Sequence, residues 1–255
     1  CLAAIAKDNG DEYIIFATDH MVTTSTGQFE HSIVKYKSLN NETVAMLAGN
    51  PLLFEDLVML DKKQKGDYKS IKEGIYQNFK NKRWDIIEKE IFNIYHITKE
   101  DFARWLNTQI PNAHIDQVLR QVSAFKLQTR ILLVGFEGNE AQITEITEDN
   151  MIDFRVMNFH AIGSGEIQAI NTLLFQKHDK CEALLPTVYN VYKAKRNAEV
   201  LQGVGKETEI LVLCKDKCVK IEENGLGVLK HLYEKELNFG NNGVGTKIMS
   251  SPLGL

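Results

Sequence analysis

The sequence predicts an α+β fold in which two antiparallel sheets are packed between outer helices, a four-layer αββα sandwich. Apolar runs that suit strands recur at the start of the chain, between residues 131 and 162, and near residue 210. Helical periodicity occupies residues 61–128 and much of the region after residue 165. Because the strand runs are apolar along most of their length, both of their faces need cover, which stacked sheets with helices outside them provide.

The chain begins with a predicted hairpin over residues 2–18. Two β-rich runs, residues 2–7 and 13–18, flank a strong turn signal at residues 8–11. The second run ends in Asp19, at a strand end, where we expect the side chain to point into a cleft and not into the core. A polar loop through residues 23–27 follows.

A second hairpin is predicted over residues 33–48, with its turn at Asn40 and Asn41. Its last strand runs into Gly49 and Pro51, and proline suits the first turn of a helix. A strand that stops at glycine just before a helix leaves backbone N–H groups free to face a ligand. A plain strand–helix turn is the more common use of the same pattern.

Residues 61–128 are mostly helical. Apolar residues recur there near helical spacing, Thr98 and Asp101 match a capped helix start, and residues 112–125 form another helix candidate. We interpret the aromatic and aliphatic stripes of this segment as packing surfaces and not as a cofactor site.

The rest of the chain returns to strands and then to helices. Residues 131–136 and 141–146 are predicted strands, and a short apolar run ends in Gly-Ser-Gly at residues 163–165. A helix is expected to begin there, with Ile167, Ile170, Leu173 and Leu174 on its apolar face. Two more helices are expected, over about residues 182–199 and around 227–236. The sequence thus predicts one domain over residues 1–238, with an enlarged helical segment at 61–128, and a loose C-terminal tail over residues 239–255.

The composition indicates which classes of protein and which partners are compatible with the chain. The chain has 255 residues, 44% of them hydrophobic and 25% charged, which is ordinary for a globular domain. A net charge of -4 without a basic block argues against nucleic acid as a partner, and no apolar run is long enough to suggest a membrane partner. Four cysteines are too few for a disulfide scaffold, so we expect a cytoplasmic protein.

Metal and cofactor chemistry is not expected. The seven histidines are scattered through the chain. Cys214 and Cys218 could suggest a metal or redox pair, but they flank a polar turn between apolar runs, and no second pair follows at zinc spacing. We interpret them as two half-buried thiols at a hairpin.

The first residue, Cys1, combines a thiol with an α-amine, so it holds a nucleophile and a base together. The alternative is that processing or a boundary left a cysteine there by chance. Other residues help to decide whether Cys1 is a nucleophile or is there by chance, because their spacing resembles that seen in one known family.

The chain resembles proteasome β-subunits and their simpler bacterial relatives, within the N-terminal-nucleophile (Ntn) hydrolases. The resemblance covers residues 1–60 and 130–214. The matching positions, taken together, make it specific, and they imply the following catalytic residues: Cys1, Asp19, Lys35, Gly49 and Ser164.

The resemblance implies a role for each of these residues. The Lys35 ammonium would favour the Cys1 thiolate, since a nearby cation lowers a thiol pKa, and Asp19 would hold Lys35, although an ordinary structural ion pair is the alternative. The Gly49 amide would stabilise the oxyanion. Ser164 would bond the α-amine, or cap the following helix, or do both.

The resemblance also implies a substrate pocket. Its positions are Val22, Thr23, Ile33, Lys37, Leu47 and Pro51. With Leu47 at the base and Lys37 on the wall, we expect a mid-sized pocket of mixed character.

The chain departs from the family at three places. The nucleophile is cysteine where proteasomes use threonine, which raises the chance of acyl transfer to an amine. The family's second acid and serine have no clear match, and Asn197 and Glu199 are the nearest candidates. The helical segment is also longer than is usual in the family.

Three functions follow as expectations. The first is a peptidase that acts on a peptide or amide substrate, forms a homo-oligomeric ring and works with a regulatory or unfoldase partner. The second is an amidase or peptide ligase for one defined substrate. The third is a catalytically silent assembly subunit.

Overall fold

The computed structural model describes residues 1–24, 27–61, 64, 66–107, 113–179 and 181–249. Over these residues twelve strands form two five-stranded sheets and a two-stranded ribbon, all with antiparallel pairing. The strands are β1 (Leu2–Asp8), β2 (Asp11–Asp19), β3 (Met21–Thr24), β4 (Gly27–Glu30), β5 (Tyr36–Ser38), β6 (Thr43–Ala48), β7 (Arg130–Glu137), β8 (Glu140–Ile146), β9 (Met151–Asp153), β10 (Phe159–Ala161), β11 (Thr208–Cys214) and β12 (Lys217–Lys220).

Helices make up most of the remaining described chain, so the class is α+β. The helices are α1 (Phe54–Leu57), α2 (Tyr68–Glu90), α3 (Lys99–Leu106), α4 (Ala113–Ala124), α5 (Glu166–Phe175), α6 (Leu184–Ala198) and α7 (Glu223–Met249), with short 3-10 helices at Pro51–Leu53 and Phe92–Tyr95.

The first sheet has the strand order β10-β1-β2-β11-β12. Strands β1 and β2 form the hairpin predicted at the start of the chain, with Leu2 opposite Ala17. Its turn places Asn9 and Gly10 at φ of 52° and 94°, a region that asparagine and glycine tolerate best. The start of β1 therefore lies beside the end of β2, at one end of the sheet.

The second sheet has the order β5-β6-β7-β8-β9. It contains the predicted second hairpin and the predicted strands at residues 131–136 and 141–146. The first strand of the hairpin is shorter than predicted, because the chain bends at Lys35 and regular pairing begins only at Tyr36.

A ribbon of β3 and β4 replaces most of the polar loop predicted through residues 23–27. Its pairing runs from Met21 opposite Glu30 to Thr24 opposite Gly27. Residues 25–26 lie outside the described part of the chain.

Three hydrophobic clusters show which faces are covered. Alternate residues of the two sheets pack on each other, among them Ile5, Phe16, Met46, Leu132 and Val134. The opposite face of the first sheet packs on α5 and α6, and that of the second sheet packs on α1 and α2. Both sheets are therefore buried on both faces, which explains why their strands are apolar without strict alternation.

The segment predicted as an enlarged helical block contains α2, α3 and α4. Asp67 caps α2 by accepting from the Ser70 amide, and Thr98 and Asp101 form the predicted capping box at α3. The far end of α2 packs with α3 and α4 around Phe92 and Phe102. The block thus has a small core of its own.

The last helices differ from prediction mainly in length. The expected helix over residues 182–199 is α6, but the short helix expected at 227–236 is part of the longer α7. Residues 239–249, predicted as part of a loose tail, continue that helix. Residues 250–255 lie outside the described chain.

The described residues contain neither a helix suited to crossing a membrane nor a cluster of side chains suited to binding a metal ion. None of the helices there combines the length and apolar character that a membrane crossing requires. The same residues contain no group of three or more His, Cys, Asp or Glu side chains placed to bind a metal ion.

Candidate active site

One cavity of about 810 Å³ lies where the two sheets end, and all five residues predicted as catalytic line it. The topology explains the grouping. Cys1 precedes β1, Asp19 ends β2, Gly49 follows β6, and Ser164 follows β10. Because neighbouring antiparallel strands run in opposite directions, the start of β1 meets the ends of β2 and β10 at one end of the first sheet. Gly49 belongs to the second sheet and reaches the same cavity because the two sheets pack on each other.

Cys1 is held by contacts to both sides of the cavity. Its α-amine donates to the Ile162 carbonyl oxygen at 3.1 Å, and the Ile162 amide donates back to the Cys1 carbonyl at 2.8 Å. The thiol donates to the Leu47 carbonyl oxygen at 3.1 Å. The first residue therefore spans from the β10 end of one sheet to β6 of the other.

Asp19 and Lys35 form an ion pair beside Cys1. The Lys35 Nζ lies 2.5 Å from Asp19 Oδ1, which also accepts from the Met21 amide at 2.8 Å. Burial alone would raise the pKa of Asp19, but the Lys35 charge, the nearby N-terminus and these hydrogen bonds outweigh it and hold that pKa below its usual value. Asp19 is therefore a stable anion at neutral pH.

The α-amine of Cys1 is a much weaker base than a free N-terminus. Burial, the largest influence, lowers its pKa from 8.0 to about 5, with help from the charges of Lys35, Lys195 and Arg130 and against the opposing charge of Asp19. At neutral pH this amine is uncharged. It can accept a proton, as a general base must.

Gly49 occupies a position that only glycine fits. Its φ is 115°, and a Cβ there would lie 2.2 Å from the Gln128 carbonyl oxygen and 2.8 Å from Thr129 Cα. The next residue, Asn50, caps the short helix that follows by accepting from the Leu52 amide at 3.0 Å. Backbone strain and capping together explain the Gly-Asn-Pro sequence at this edge.

Ser164 lines the cavity, but its predicted contacts are not those of the structure. It is exposed, the amine donates to Ile162 instead, and the N-cap of α5 is Gly165, without a side-chain cap. Gly163, at φ of 101°, turns the chain just before it.

The predicted substrate residues divide into three groups. Ile33, Leu47 and Pro51 line the cavity with Met21 and Phe29, which the sequence reasoning did not single out. Lys37 forms an ion pair with Glu55 on the surface. Val22 and Thr23 belong to β3, and their side chains lie outside the described part of the structure.

Asn197 and Glu199, the candidates for a second acid and serine, serve as anchors for other side chains. Asn197 donates to Thr172 at 3.1 Å and accepts from the Tyr233 hydroxyl at 2.7 Å. Glu199 accepts from Lys195 at 2.8 Å and lies 2.6 Å from an Arg196 nitrogen.

Lys195 lines the cavity, and sequence reasoning missed it. Its neighbours Lys193 and Arg196 make it look like part of the basic last turn that many helices carry. Only its position on the same face as the buried Val188, Val191 and Ala198 could have indicated that it points inward.

The other cysteines are remote from this chemistry. All four are free thiols. Cys214 and Cys218 flank the predicted hairpin, and burial, with a smaller effect of Cys214, raises the pKa of Cys218 to about 11. A thiol of that kind is unreactive at neutral pH.

Comparison with known proteins adds no family to this picture. No family model matches the chain, and no curated protein is significantly similar to it.

Proposed function

We propose that this chain is an Ntn hydrolase with a four-layer αββα fold that cleaves peptide or other amide bonds through an acyl-enzyme on Cys1. The observation that carries the proposal is that a thiol, an uncharged α-amine and the Asp19–Lys35 pair meet in one cavity. The packing of two sheets on each other, with helices against their other faces, supports the fold.

Acylation begins with attack of Cys1 Sγ on the carbonyl carbon of the substrate amide. The thiol proton passes to the α-amine of the same residue, which is uncharged at neutral pH. The Lys35 ammonium, held by Asp19, favours the negative charge on sulfur. As the C–N bond breaks, the amine gives its proton to the leaving nitrogen, and Cys1 carries a thioester.

Deacylation follows the same route with water. Water attacks the thioester carbonyl, its proton passes to the α-amine and then to the sulfur, and a carboxylic acid leaves. In both steps negative charge develops on the substrate oxygen. The Gly49 amide is the proposed donor to that oxygen, a contribution of ~3 kcal/mol in comparable sites.

Acyl transfer to an amine is the second candidate. A thioester reacts readily with amines, and a cavity of about 810 Å³ has room for an acceptor larger than water. Product analysis with a competing amine separates the two reactions, because a ligase or transferase yields the new amide and a hydrolase yields the acid.

Covalent labelling tests the nucleophile. We expect an electrophilic peptide to add once to the native chain, at Cys1, and not to the Cys1→Ala variant. Cys181→Ala is the matched control, because Cys181 is an exposed free thiol outside the cavity. Intact mass and peptide mapping measure the outcome, and a native chain that acquires no adduct at Cys1 would contradict the proposal.

The role of Lys35 has a matched control as well. Lys35 and Lys72 each pair with an aspartate, and both side chains are 18% exposed. Lys35→Met should slow acylation about 100-fold or more, since the thiolate loses its cation, whereas Lys72→Met should leave the rate unchanged. Equal acylation rates in the two variants would show that Lys35 takes no part in the reaction.

A further inference from the structure

Lys195 is an unusual residue for the interior of a protein. It lies in α6, is 3% exposed, and lines the same cavity as Cys1. Its ammonium donates to Glu199 at 2.8 Å and to the Gly205 carbonyl oxygen at 2.7 Å. Because burial of a lysine charge is costly even when a carboxylate pairs with it, a role for this charge in the cavity is worth testing.

The contact with Gly205 connects Lys195 to the catalytic pair. Gly205 packs so closely on Met21 that a Cβ there would lie 3.0 Å from the Met21 nitrogen. That nitrogen donates to Asp19 Oδ1 at 2.8 Å, and Asp19 holds Lys35. Lys195 therefore holds the loop that backs the Asp19 carboxylate.

Lys195 shares its close carboxylate with a second cation. Glu199 pairs with Lys195 at 2.8 Å and with Arg196 at 2.6 Å. Two further carboxylates act on Lys195 from other parts of the fold: Asp19 of β2, and Glu30 of β4, which accepts from the amides of Lys206 and Glu207. Lys195 is therefore the buried cation of a mixed group of charges beside the cavity.

Four charged groups act on the α-amine of Cys1, and they come from four parts of the fold. Asp19 of β2 raises the pKa of the amine. Lys35, Lys195 of α6 and Arg130 of β7 lower it. Lys195 is thus one of three cations that disfavour a proton on this nitrogen.

We propose that Lys195 is a positioning residue of the Cys1 centre: its buried ammonium places a positive charge in the cavity that Cys1 lines, and its bond to Gly205 holds that residue against the Met21 amide that binds Asp19. The description as a residue of a catalytic centre rests on the proposed function. The state of the amine, however, can be measured without any substrate.

The test follows the protonation of the Cys1 amine by NMR in protein labelled with nitrogen-15 at cysteine. Lys195→Gln removes the charge but keeps a donor for Gly205, whereas Lys195→Arg keeps both. Lys193→Met is the matched control, because it removes the same charge from a side chain of α6 that pairs with Glu236 of α7 and does not line the cavity. We expect the titration midpoint to rise by about one pH unit in Lys195→Gln alone.

Each outcome decides the proposal. An unchanged midpoint in folded Lys195→Gln, or in Lys195→Met if the glutamine variant does not fold, overturns it. If both neutral variants fail to fold while Lys195→Arg folds, the role of Lys195 is structural, and the proposal is again wrong. A raised midpoint in a chain that hydrolyses no amide would support this inference and contradict the proposed function.

Discussion

At the scale of single residues, the chemistry of Cys1 depends on where its amine lies. A thiol and an amine in one residue have little use if the amine is protonated. Enclosure next to Ile162, with Lys35, Lys195 and Arg130 nearby, leaves it uncharged at neutral pH. A half-buried residue with its thiol toward the cavity and its amine enclosed can therefore act as nucleophile and base together.

The depressed pKa of this amine predicts the acid side of the pH profile. The protonated amine accepts no proton from the thiol, so kcat/KM should fall as the pH decreases through about 5, and not through about 8 as for an ordinary N-terminus. A profile of kcat/KM against pH with an unactivated peptide substrate measures this. An acid limb centred near 8 would mean that the amine keeps its ordinary pKa.

Gly49 predicts a large effect on stability. Gly49→Ala forces a side chain into φ of 115° and against the Gln128 carbonyl, which should lower the free energy of unfolding by about 2–4 kcal/mol. Gly138→Ala is the control, because Gly138 also has positive φ, 64°, but open space around it, and should cost ~1 kcal/mol. Urea denaturation compares the two variants, and equal losses would show that the contact with Gln128 does not matter.

At the scale of elements, a buried tyrosine hydroxyl helps to hold α2 on the second sheet. Tyr68 is 2% exposed, and its hydroxyl lies 3.1 Å from the Leu133 carbonyl and 2.7 Å from Thr144 Oγ1. Burial is the main reason that the pKa of this hydroxyl is raised well above its usual value. The Tyr68 hydroxyl therefore stays protonated at neutral pH and remains a hydrogen-bond donor.

Removal of that hydroxyl should weaken the docking of α2. Tyr68→Phe leaves buried acceptors on β7 and β8 without their donor, and we expect a loss of about 1–2 kcal/mol in the free energy of unfolding. Tyr76→Phe, on the same helix, removes a hydroxyl that bonds to Asp149 at the surface and should change stability less. Thermal denaturation of both variants checks the order, and a larger loss for Tyr76→Phe would contradict it.

Element prediction succeeded where the signal was local. The turn at residues 8–11 and the capping box at Thr98 and Asp101 each depend only on residues close together in the sequence, and the structure contains both. The ribbon of β3 and β4 was missed because its strands have only four residues each, lie outside the two main sheets and contain no run of apolar residues. The length of α7 was missed because glycines and asparagines after residue 237 resemble a coil.

At the scale of the whole molecule, Arg130 joins parts that are distant in sequence. It pairs with Glu145 of β8 at 3.1 Å and with Glu166 at the start of α5. Glu145 also bonds to His160 of β10 at 2.7 Å. This network links the two sheets and the first turn of α5 directly behind the cavity.

Loss of Arg130 should therefore destabilise the whole fold. Arg130→Met leaves the buried Glu145 and its neighbour Glu166 without their cation, and we expect a loss of ~2 kcal/mol. Arg104→Met removes an exposed pair with Asp101 at 3.8 Å and should stay within about 0.5 kcal/mol of the native chain. Chemical denaturation measures both, and an unchanged midpoint for Arg130→Met would show that the network contributes no stability.

Hairpins, caps and helices could be assigned from the sequence, because each depends on residues a few positions apart. The grouping of Cys1, Asp19, Lys35 and Gly49 could be expected only through a family resemblance, and the structure brings them to one cavity. The enclosed amine and the contacts of Ser164 could not be predicted from the sequence, and the inward direction of Lys195 was indicated only by the apolar residues on its face of α6. They arise where segments more than 100 residues apart pack together, and burial and charge there are properties of the assembled site, which no local pattern encodes.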